Sequence, residues 1–256
     1  MKTRIFLSTL LLLASFGFSR AVAAERARET FVLVHGAWGG GWAFKEIDRL
    51  LTADGYTVYR PTLTGLGERN HLARADINLT THVTDVVNVI LWEDLHDVVL
   101  VGHSYGGMVI TGVIDRIPER IKRVVYLDAL LPENGESWQS LRPNPPADTK
   151  LVNGFFIPPW VQDFSAKPPH DMPQPAGTYT ERISLIHSDP HKIKTTYILT
   201  VDEGKQPQDD FFFQFYERAQ KRGWETTVMI GDHNVQWSKP KELVSLLETK
   251  TGKTNP

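Results

Sequence analysis

One feature of the chain constrains its fold more than any other: short, wholly apolar segments alternate with segments of helical periodicity. Residues 31–34 and 97–101 are continuous and β-prone, whereas residues 44–53 and 81–91 repeat apolar side chains at helical intervals. Strands that are apolar throughout are buried on both faces, because a strand with one solvated face alternates apolar and polar residues. The alternation therefore predicts an α/β fold, with a mostly parallel sheet covered by helices on both faces.

The same pattern assigns the remaining regular elements. The segments predicted as strands are residues 30–34, 56–60, 97–101, 123–127, 195–200 and 226–230. The segments predicted as helices are residues 44–53, 81–91, 108–116, 209–222 and 239–250. A chain of 256 residues with 41% hydrophobic side chains can bury one sizeable core, so residues 25–256 are predicted to form a single domain.

Charge and cysteine content exclude several classes of function. The formal net charge is -2, which provides no basic field for nucleic acid or anionic lipid. The chain has no cysteine, which excludes disulfides, thiol catalysis and cysteine-ligated metals. No histidine pair has the spacing and carboxylate context of a metal site, so no metal site is predicted.

Residues 133–194 differ from the rest of the chain, and we name them the lid segment. Eleven of the sixteen prolines fall between residues 132 and 190, mixed with aromatic residues. Prolines interrupt regular structure, but disordered chains are poor in aromatics. We therefore predict an inserted lid over a site, whose aromatic side chains favour an apolar or aromatic substrate. These aromatics are Trp138, Phe155, Phe156, Trp160 and Phe164.

Residues 1–24 have the layout of a secretory signal peptide. Lys2 and Arg4 precede an almost wholly apolar run from residue 5 to residue 18, and the small residues 21–24 form a cleavage signal. The apolar run is shorter than the ~20 residues that a membrane span needs. This layout predicts a cleaved signal and a periplasmic or secreted protein without stable membrane insertion.

The strongest local signal is Gly102-His103-Ser104-Tyr105-Gly106, which matches the G-x-S-x-G motif. The motif follows a predicted strand and precedes a predicted helix, which is the context of a nucleophile elbow. Such a turn holds its serine in a strained backbone conformation, and the neighbouring glycines leave room for it. We therefore predict that Ser104 is a nucleophile.

A serine hydroxyl needs a base that takes its proton. His233 is the best candidate among the nine histidines, because it lies between the last predicted strand and the last predicted helix. His35 and His103 belong to glycine-rich loops and are predicted to shape turns. The other histidines are predicted to be surface or lid residues: His71, His82, His96, His170, His187 and His191.

The residues alone leave open which acid orients the histidine. Asp128 ends the fourth predicted strand, whereas Asp202 and Glu203 follow the fifth, which is the more usual place. Asp232 is adjacent to His233 in sequence and is predicted to point away from its ring.

An oxyanion hole needs two backbone N–H groups aimed at the developing charge. One is predicted at Tyr105, the residue after the nucleophile. The other is expected in the loop after the first strand, where His35-Gly36-Ala37 fits. Ala37 is the predicted donor there, with Trp38 as the neighbouring possibility.

Further motifs accompany the elbow, at residues 31–42, 62–69, 98–107 and 126–132. Together they resemble bacterial esterases of the α/β-hydrolase superfamily, which are similar to plant methyl esterases of the salicylate-binding type and to hydroxynitrile lyases. The resemblance covers essentially the whole mature chain and is loose in the lid segment. It implies the α/β-hydrolase fold and a carboxylesterase that needs no cofactor.

The resemblance also bears on the acid. In the plant relatives the acid is an aspartate after the late strand, but the match there falls on Glu203, with Asp202 one place earlier. The bacterial esterases that look most similar share the Tyr-Leu-Asp-Ala stretch at residues 126–129. The resemblance therefore favours Asp128.

The expected reaction is hydrolysis of a small-molecule carboxylic ester through a Ser-His-acid triad and an acyl-enzyme, with no nucleic acid as partner. One alternative is a hydroxynitrile-lyase-like or acyltransferase activity on the same triad. The lyase is disfavoured because the lyases carry a lysine where this chain has Asn234 and a threonine where it has Gly36. The other alternative is a non-catalytic ligand-binding protein of this fold.

Overall fold

The predicted strands form one parallel sheet, and the lid segment adds a second, small sheet. The computed structural model describes residues 29–161, 166–187 and 193–250. In chain order its strands are β1 (Thr30–Val34), β2 (Thr57–Tyr59), β3 (Val98–His103), β4 (Ile121–Leu127), β5 (Lys150–Val152), β6 (Phe155–Ile157), β7 (Gln174–Pro175), β8 (Lys194–Val201) and β9 (Glu225–Ile230). The large sheet has the order β2-β1-β3-β4-β8-β9, and every neighbouring pair in it is parallel.

Helices connect the parallel strands. They are α1 (Lys45–Ala53), α2 (Leu79–Trp92), α3 (Gly106–Arg116), α4 (Trp138–Leu141), α5 (Gly177–Thr180), α6 (Phe213–Lys221), α7 (Val235–Ser238) and α8 (Pro240–Lys250). Short 3-10 turns lie at Gly41–Phe44, Gly67–Leu72, Pro118–Arg120 and Pro207–Asp209. The predicted helices are all present, within a few residues at their ends, and α6 is shorter than predicted because a 3-10 turn and irregular chain precede it.

Two apolar cores lie on opposite faces of the sheet. Successive side chains of a strand point to opposite faces, so Phe31 and Leu33 of β1 pack in the core beneath α1 and α8, whereas Val32 and Val34 pack beneath α2 and α3. All four side chains are fully buried. The wholly apolar strand β1 is therefore buried on both faces, as predicted for a parallel sheet that helices cover on both sides.

The last strand departs from this pattern. β9 lies at the edge of the sheet, and Val228 and Ile230 are 37% and 49% exposed. An edge strand has a neighbour on one side only, so its apolar residues are less covered. Sequence periodicity did not separate this strand from the central ones.

The lid segment contains regular structure that its proline content did not suggest. β5, β6 and β7 form an antiparallel sheet in that order, and α4 and α5 flank it in sequence. Phe156 of β6 packs edge-on against Tyr179 of α5, with ring centroids 5.0 Å apart. Aromatic packing therefore stabilises this sheet, since its strands are only two or three residues long.

Some predictions fall on residues outside the described ranges: the signal peptide at residues 1–24, and the side chains of Phe164 and His191. Within the described ranges, none of the helices combines the length and the apolar character that crossing a bilayer requires.

Candidate active site

Ser104 lies in the turn between β3 and α3. Its φ is 54°, a left-handed conformation that costs a non-glycine residue about 1–3 kcal/mol. The surrounding chain holds it there: the Ser104 carbonyl accepts the N–H groups of Gly107 and Leu130 at 3.1 and 3.0 Å. Ser104 is partly exposed between buried neighbours, and the positive end of α3 begins two residues later.

The glycine after the elbow is required by close packing. A Cβ at Gly107 would lie 2.0 Å from the Leu130 carbonyl oxygen, a distance that no side chain tolerates. The helix start can therefore approach the chain after β4 only because position 107 has no side chain. That approach brings Ser104 and Asp128, from the ends of neighbouring strands, to the same edge of the sheet.

Asp128 and His233 form a direct contact at this edge. The His233 Nδ1–H donates to Asp128 Oδ2 at 2.5 Å. The second carboxylate oxygen, Oδ1, accepts the Thr200 N–H at 2.9 Å. Asp128 is 1% exposed, so its charge is held by these two donors rather than by water. Because an ionised carboxylate only accepts hydrogen bonds, the proton of this contact belongs to Nδ1 and the other ring nitrogen, Nε2, is the free base.

The rival carboxylates lie elsewhere. Asp202 and Glu203 follow β8 but are exposed, and the structure records no hydrogen bond from His233 to either within the described ranges. Asp232 points away from the ring, as predicted, and its Oδ1 accepts the Asn234 N–H at 2.8 Å. Of the four candidate carboxylates, Asp128 is the one that the fold brings to the histidine.

Two aromatic rings and one backbone contact orient His233. Its ring stacks on Phe212, with centroids 4.9 Å apart and planes 13° apart, and lies 4.6 Å from the His103 ring. The His103 Nε2–H donates to the His233 carbonyl at 2.7 Å. Burial holds the pKa of His103 well below its usual range, so this ring stays neutral. His103 therefore holds the backbone of the loop that carries His233.

The His35 ring, which is neutral like that of His103, orients the loop after β1. Its Nε2 accepts the Leu63 N–H at 3.0 Å, so the proton is on Nδ1, which donates to the Gly36 carbonyl at 2.7 Å. Burial lowers the pKa of His35 to about 4. In a trans peptide the carbonyl and the following N–H point in opposite directions, so this contact turns the Ala37 N–H away from His35.

The two predicted oxyanion donors line one cavity with Ser104 and His233. Among the described residues, neither the Ala37 nor the Tyr105 N–H donates to a protein acceptor. The alternative donor, the Trp38 N–H, is already engaged, since it donates to Gln174 Oε1 at 2.9 Å. The structure thus leaves Ala37 and Tyr105 available for a ligand oxygen.

The loop after β1 also lies tightly against the nucleophile. A Cβ at Gly36 would be 3.0 Å from the Ser104 Cβ and 3.2 Å from His103 Nδ1. A threonine, the residue of the lyases at this position, would therefore require a shift of the loop or of the elbow.

The cavity has a volume of about 510 Å³, and four tryptophans are among the residues that line it. Trp38 meets Trp138 and Trp160 edge-on, with centroids 5.5 and 5.4 Å away. Of the predicted lid aromatics, Trp138 and Trp160 line the cavity, whereas Phe155 and Phe156 do not. Phe212 and Trp237 line it as well. These two residues were not among the predicted aromatics of the site, although Phe212 lies in the conspicuous run Phe211-Phe212-Phe213.

Two charged side chains complete the wall, Arg142 and Asp171. The Arg142 guanidinium lies 4.6 Å over the Phe211 ring. Asp171 Oδ2 accepts the Trp160 indole N–H at 3.0 Å, and burial raises the pKa of this carboxyl. These groups add charge to a cavity that several aromatic rings line.

One histidine prediction is wrong. His82 was expected at the surface, but it is fully buried on α2 beneath the elbow. Its Nε2–H donates to the Thr64 carbonyl at 3.0 Å, so Nδ1 accepts the Tyr105 hydroxyl proton at 3.1 Å. Burial lowers the pKa of His82 to about 4. Its helical position, three residues after Leu79 and four before Val86 on the same face, could have indicated burial.

A second cavity, of about 690 Å³, contains neither Ser104 nor His233. The Asp115 carboxylate on its wall accepts the N–H groups of Ile186 and His187, both at 2.9 Å. This carboxylate therefore fastens the end of the lid segment to α3. No cluster of three or more metal-ligating side chains occurs in the described part of the chain.

Comparison with known proteins identifies the family to which this fold belongs. The model of the alpha/beta hydrolase family matches residues 31–246. The chain belongs to the alpha/beta hydrolase family. A carbendazim-hydrolyzing esterase of Nocardioides sp. is 36% identical to this hydrolase over 239 residues, which are 85% of this chain and 97% of that protein. Methylesterase 1 of Arabidopsis thaliana is 31% identical over 118 residues, 45% of each chain.

A solved structure shows the same fold. It is an extracellular alpha/beta-hydrolase of a Paenibacillus species, described as homologous in structure and function to tobacco salicylic acid binding protein 2. It superposes with a TM-score of 0.72 at 26% identity and covers 86% of this hydrolase and 98% of that chain. The resemblance and the fold class expected from the sequence are therefore confirmed, and these relatives carry esterase and hydrolase names.

Proposed function

We propose that this alpha/beta hydrolase is a serine carboxylesterase in which Ser104 is the nucleophile, His233 the base and Asp128 the acid. The observation that carries the proposal is the 2.5 Å contact between His233 Nδ1 and the buried Asp128 carboxylate, at the wall of the cavity that Ser104 also lines. That contact places the ring proton on Nδ1, which leaves Nε2 free to accept the proton of a serine hydroxyl.

The mechanism follows from these atoms. His233 Nε2 takes the Ser104 proton as Oγ attacks the ester carbonyl carbon, and Asp128 stabilises the imidazolium that forms. The N–H groups of Ala37 and Tyr105 hold the oxyanion. His233 then protonates the leaving alcohol, and a water molecule repeats the attack on the acyl-enzyme, which releases the carboxylic acid and regenerates the serine.

The cavity wall favours substrates with an aromatic acyl or alcohol group. Trp38, Trp138, Trp160 and Phe212 offer ring faces and edges, and aromatic pairs add about 0.5–1.5 kcal/mol beyond the area that they bury. The names of the relatives agree: a carbendazim-hydrolyzing esterase and plant methylesterases. We therefore propose methyl and aryl esters or carbamates of aromatic compounds as the substrate class.

The test is a panel of 4-nitrophenyl esters, aromatic methyl esters and carbendazim, run on the wild type and on Ser104→Ala. We expect turnover to fall by about 10⁴-fold or more in the variant, and a fluorophosphonate probe to label the wild type alone. Ester hydrolysis that persists in Ser104→Ala would refute the proposal. Benzaldehyde and cyanide released from mandelonitrile, or ester products formed with an added alcohol, would instead identify a lyase or an acyltransferase.

We further propose that the protein acts in the periplasm or outside the cell. The layout of residues 1–24 supports this location. The test is the intact mass of the protein recovered from the periplasm or medium of an expressing bacterium. A mass that lacks the first 24 residues is expected, and an uncleaved protein in the cytoplasm would contradict the proposal.

A further inference from the structure

The lid segment holds the loop after β1 through the backbone of Trp38. Trp38 has a φ of 61°, which is left-handed and strained for a residue with a large side chain. Both of its backbone groups are engaged by residues of the lid segment: its N–H donates to Gln174 Oε1 at 2.9 Å, and its carbonyl accepts the Met172 N–H at 2.7 Å. A strained residue next to the oxyanion donor is thus held from outside its own loop.

The orientation of the Gln174 amide is determined by its other end. Gln174 is fully buried, and its Nε2 donates to Thr178 Oγ1 at 2.8 Å. The Thr178 hydroxyl proton is already used, because it donates to the Pro175 carbonyl at 2.7 Å. Thr178 Oγ1 can therefore only accept, so the Gln174 NH₂ must face Thr178 and its carbonyl oxygen must face Trp38.

The Gln174 contact acts on the peptide next to the oxyanion donor. The peptide between Ala37 and Trp38 is held at both ends, since its N–H donates to Gln174 and its carbonyl accepts the Gly39 N–H at 2.7 Å. The preceding peptide is held at its carbonyl by His35. The two peptides have four polar groups, and three of them are engaged in these hydrogen bonds. The fourth, the Ala37 N–H, remains available for a ligand.

We propose that Gln174 is a positioning residue of the oxyanion hole: by engaging the Trp38 N–H, it fixes the loop so that Ala37 donates to the transition state. This inference rests on the proposed esterase function and names a residue of the lid segment as part of its machinery. Without the Gln174 acceptor, the partly buried Trp38 N–H loses its partner and the Ala37–Trp38 peptide can rotate. The oxyanion donor would then be misaligned, while Trp138, Trp160 and Phe212, the wall residues outside this loop, stay in place.

The decisive variant is Gln174→Met, which keeps the length and packing of the side chain but removes the amide acceptor. Gln220→Met, on the exposed side of α6, is the matched control. Loss of one oxyanion donor lowers kcat by about 10²–10³-fold, so we expect misalignment to lower it by about 10–100-fold with KM changed less than threefold. The rates are expressed per active site, counted by fluorophosphonate titration, so that misfolded protein does not contribute.

A second measurement separates positioning from a general structural role. An aryl trifluoromethyl ketone forms a covalent adduct with the serine, and its oxyanion occupies the hole. We expect its Ki to rise in Gln174→Met by the same factor by which kcat/KM falls, while the Ki of the aromatic acid product stays within threefold. If Gln174→Met does not fold, Gln174→Asn decides by the same criteria, since it keeps a buried amide whose oxygen falls one methylene short of Trp38.

The outcomes of these experiments are distinct. A kcat per site within twofold of the wild type, or an unchanged Ki for the ketone, overturns the role of Gln174 while an inactive Ser104→Ala leaves the esterase proposal standing. Activity that persists in Ser104→Ala refutes the esterase proposal itself. Equal losses in kcat and in product affinity would assign Gln174 to the cavity wall and would overturn the positioning role.

Discussion

Replacement of Asp128 by asparagine tests the assignment of the acid most directly. The structure determines how the new amide must sit. Asp128 Oδ1 accepts the Thr200 N–H at 2.9 Å, so the asparagine oxygen is retained at that position and its NH₂ faces His233. Because an NH₂ group donates, His233 Nδ1 becomes an acceptor and the ring proton moves to Nε2.

The size of the effect follows from this change of tautomer. A ring protonated at Nε2 cannot accept the Ser104 proton, and the imidazolium that forms in the transition state loses its counter-charge. The same substitution in the well-studied serine protease triad lowers kcat by about 10⁴-fold. At 1.36 kcal/mol for each tenfold change, a loss of that size corresponds to about 5 kcal/mol of transition-state stabilisation.

The assay is hydrolysis of a 4-nitrophenyl ester by wild type, Asp128→Asn, Asp202→Asn and Glu203→Gln, with thermal melts to verify folding. The last two variants are matched controls, because each removes a carboxylate charge from an exposed residue near β8. We expect the controls to stay within twofold of the wild type. A folded Asp128→Asn that keeps more than a tenth of the activity, or a collapse in either control, would refute the reasoning.

Three further predictions concern packing, pH and substrate choice. Gly107→Ala places a Cβ 2.0 Å from the Leu130 oxygen and should lower the free energy of unfolding, measured in urea, by about 1–3 kcal/mol or more. Gly39→Ala is the control, because a Cβ there has its nearest contacts at 3.8 Å and should leave the free energy of unfolding unchanged. Equal stability of the two variants would contradict the packing argument. Burial lowers the pKa of His82 from 6.5 to about 4, so the unfolded chain binds the proton first as pH falls. As pH falls from 6.5 to 4, the free energy of unfolding should therefore decrease by up to about 1.4 kcal/mol per pH unit because of this ring. In urea melts over this pH range, the free energy of unfolding of His82→Gln should depend less steeply on pH, by about the contribution of one proton. Trp160→Ala should raise KM for aryl esters about 2–10-fold and leave short alkyl esters unchanged, with Trp92→Ala, which is 84% exposed, as the control; an equal effect on both ester classes would argue against an aromatic subsite.

The fold could be predicted from the sequence because its signals are local. β1 occupies residues 30–34 as predicted, since a continuous β-prone run is bounded by charged residues and a glycine loop. The antiparallel sheet of the lid segment could not be predicted in the same way. Its strands are two or three residues long, too short for a periodicity, and contacts such as that between Phe156 and Tyr179 hold them together over a separation of 23 residues.

The site could be predicted in part, and the limit has a physical reason. Ser104 and His233 were selected by motif and by chain order, which are properties of the sequence itself. The choice between Asp128 and the late pair depends on which strand end lies beside His233, and that depends on sheet order. His82 was misplaced because its polar character outweighed its position on the buried face of α2, where two hydrogen bonds satisfy the ring.

Neutral groups provide much of the support around Ser104, and this has a consequence for the electrostatics of the site. His35 holds the Gly36 carbonyl, His103 holds the His233 carbonyl and Gln174 holds the Trp38 N–H. Burial keeps the two histidines uncharged at neutral pH, so none of the three adds a positive charge that would repel the imidazolium. A lysine or arginine in place of either histidine could donate a similar hydrogen bond to the carbonyl, but its positive charge would oppose protonation of His233 and so weaken the base. The backbone around the nucleophile can therefore be held rigidly without lowering the basicity on which the proposed reaction depends.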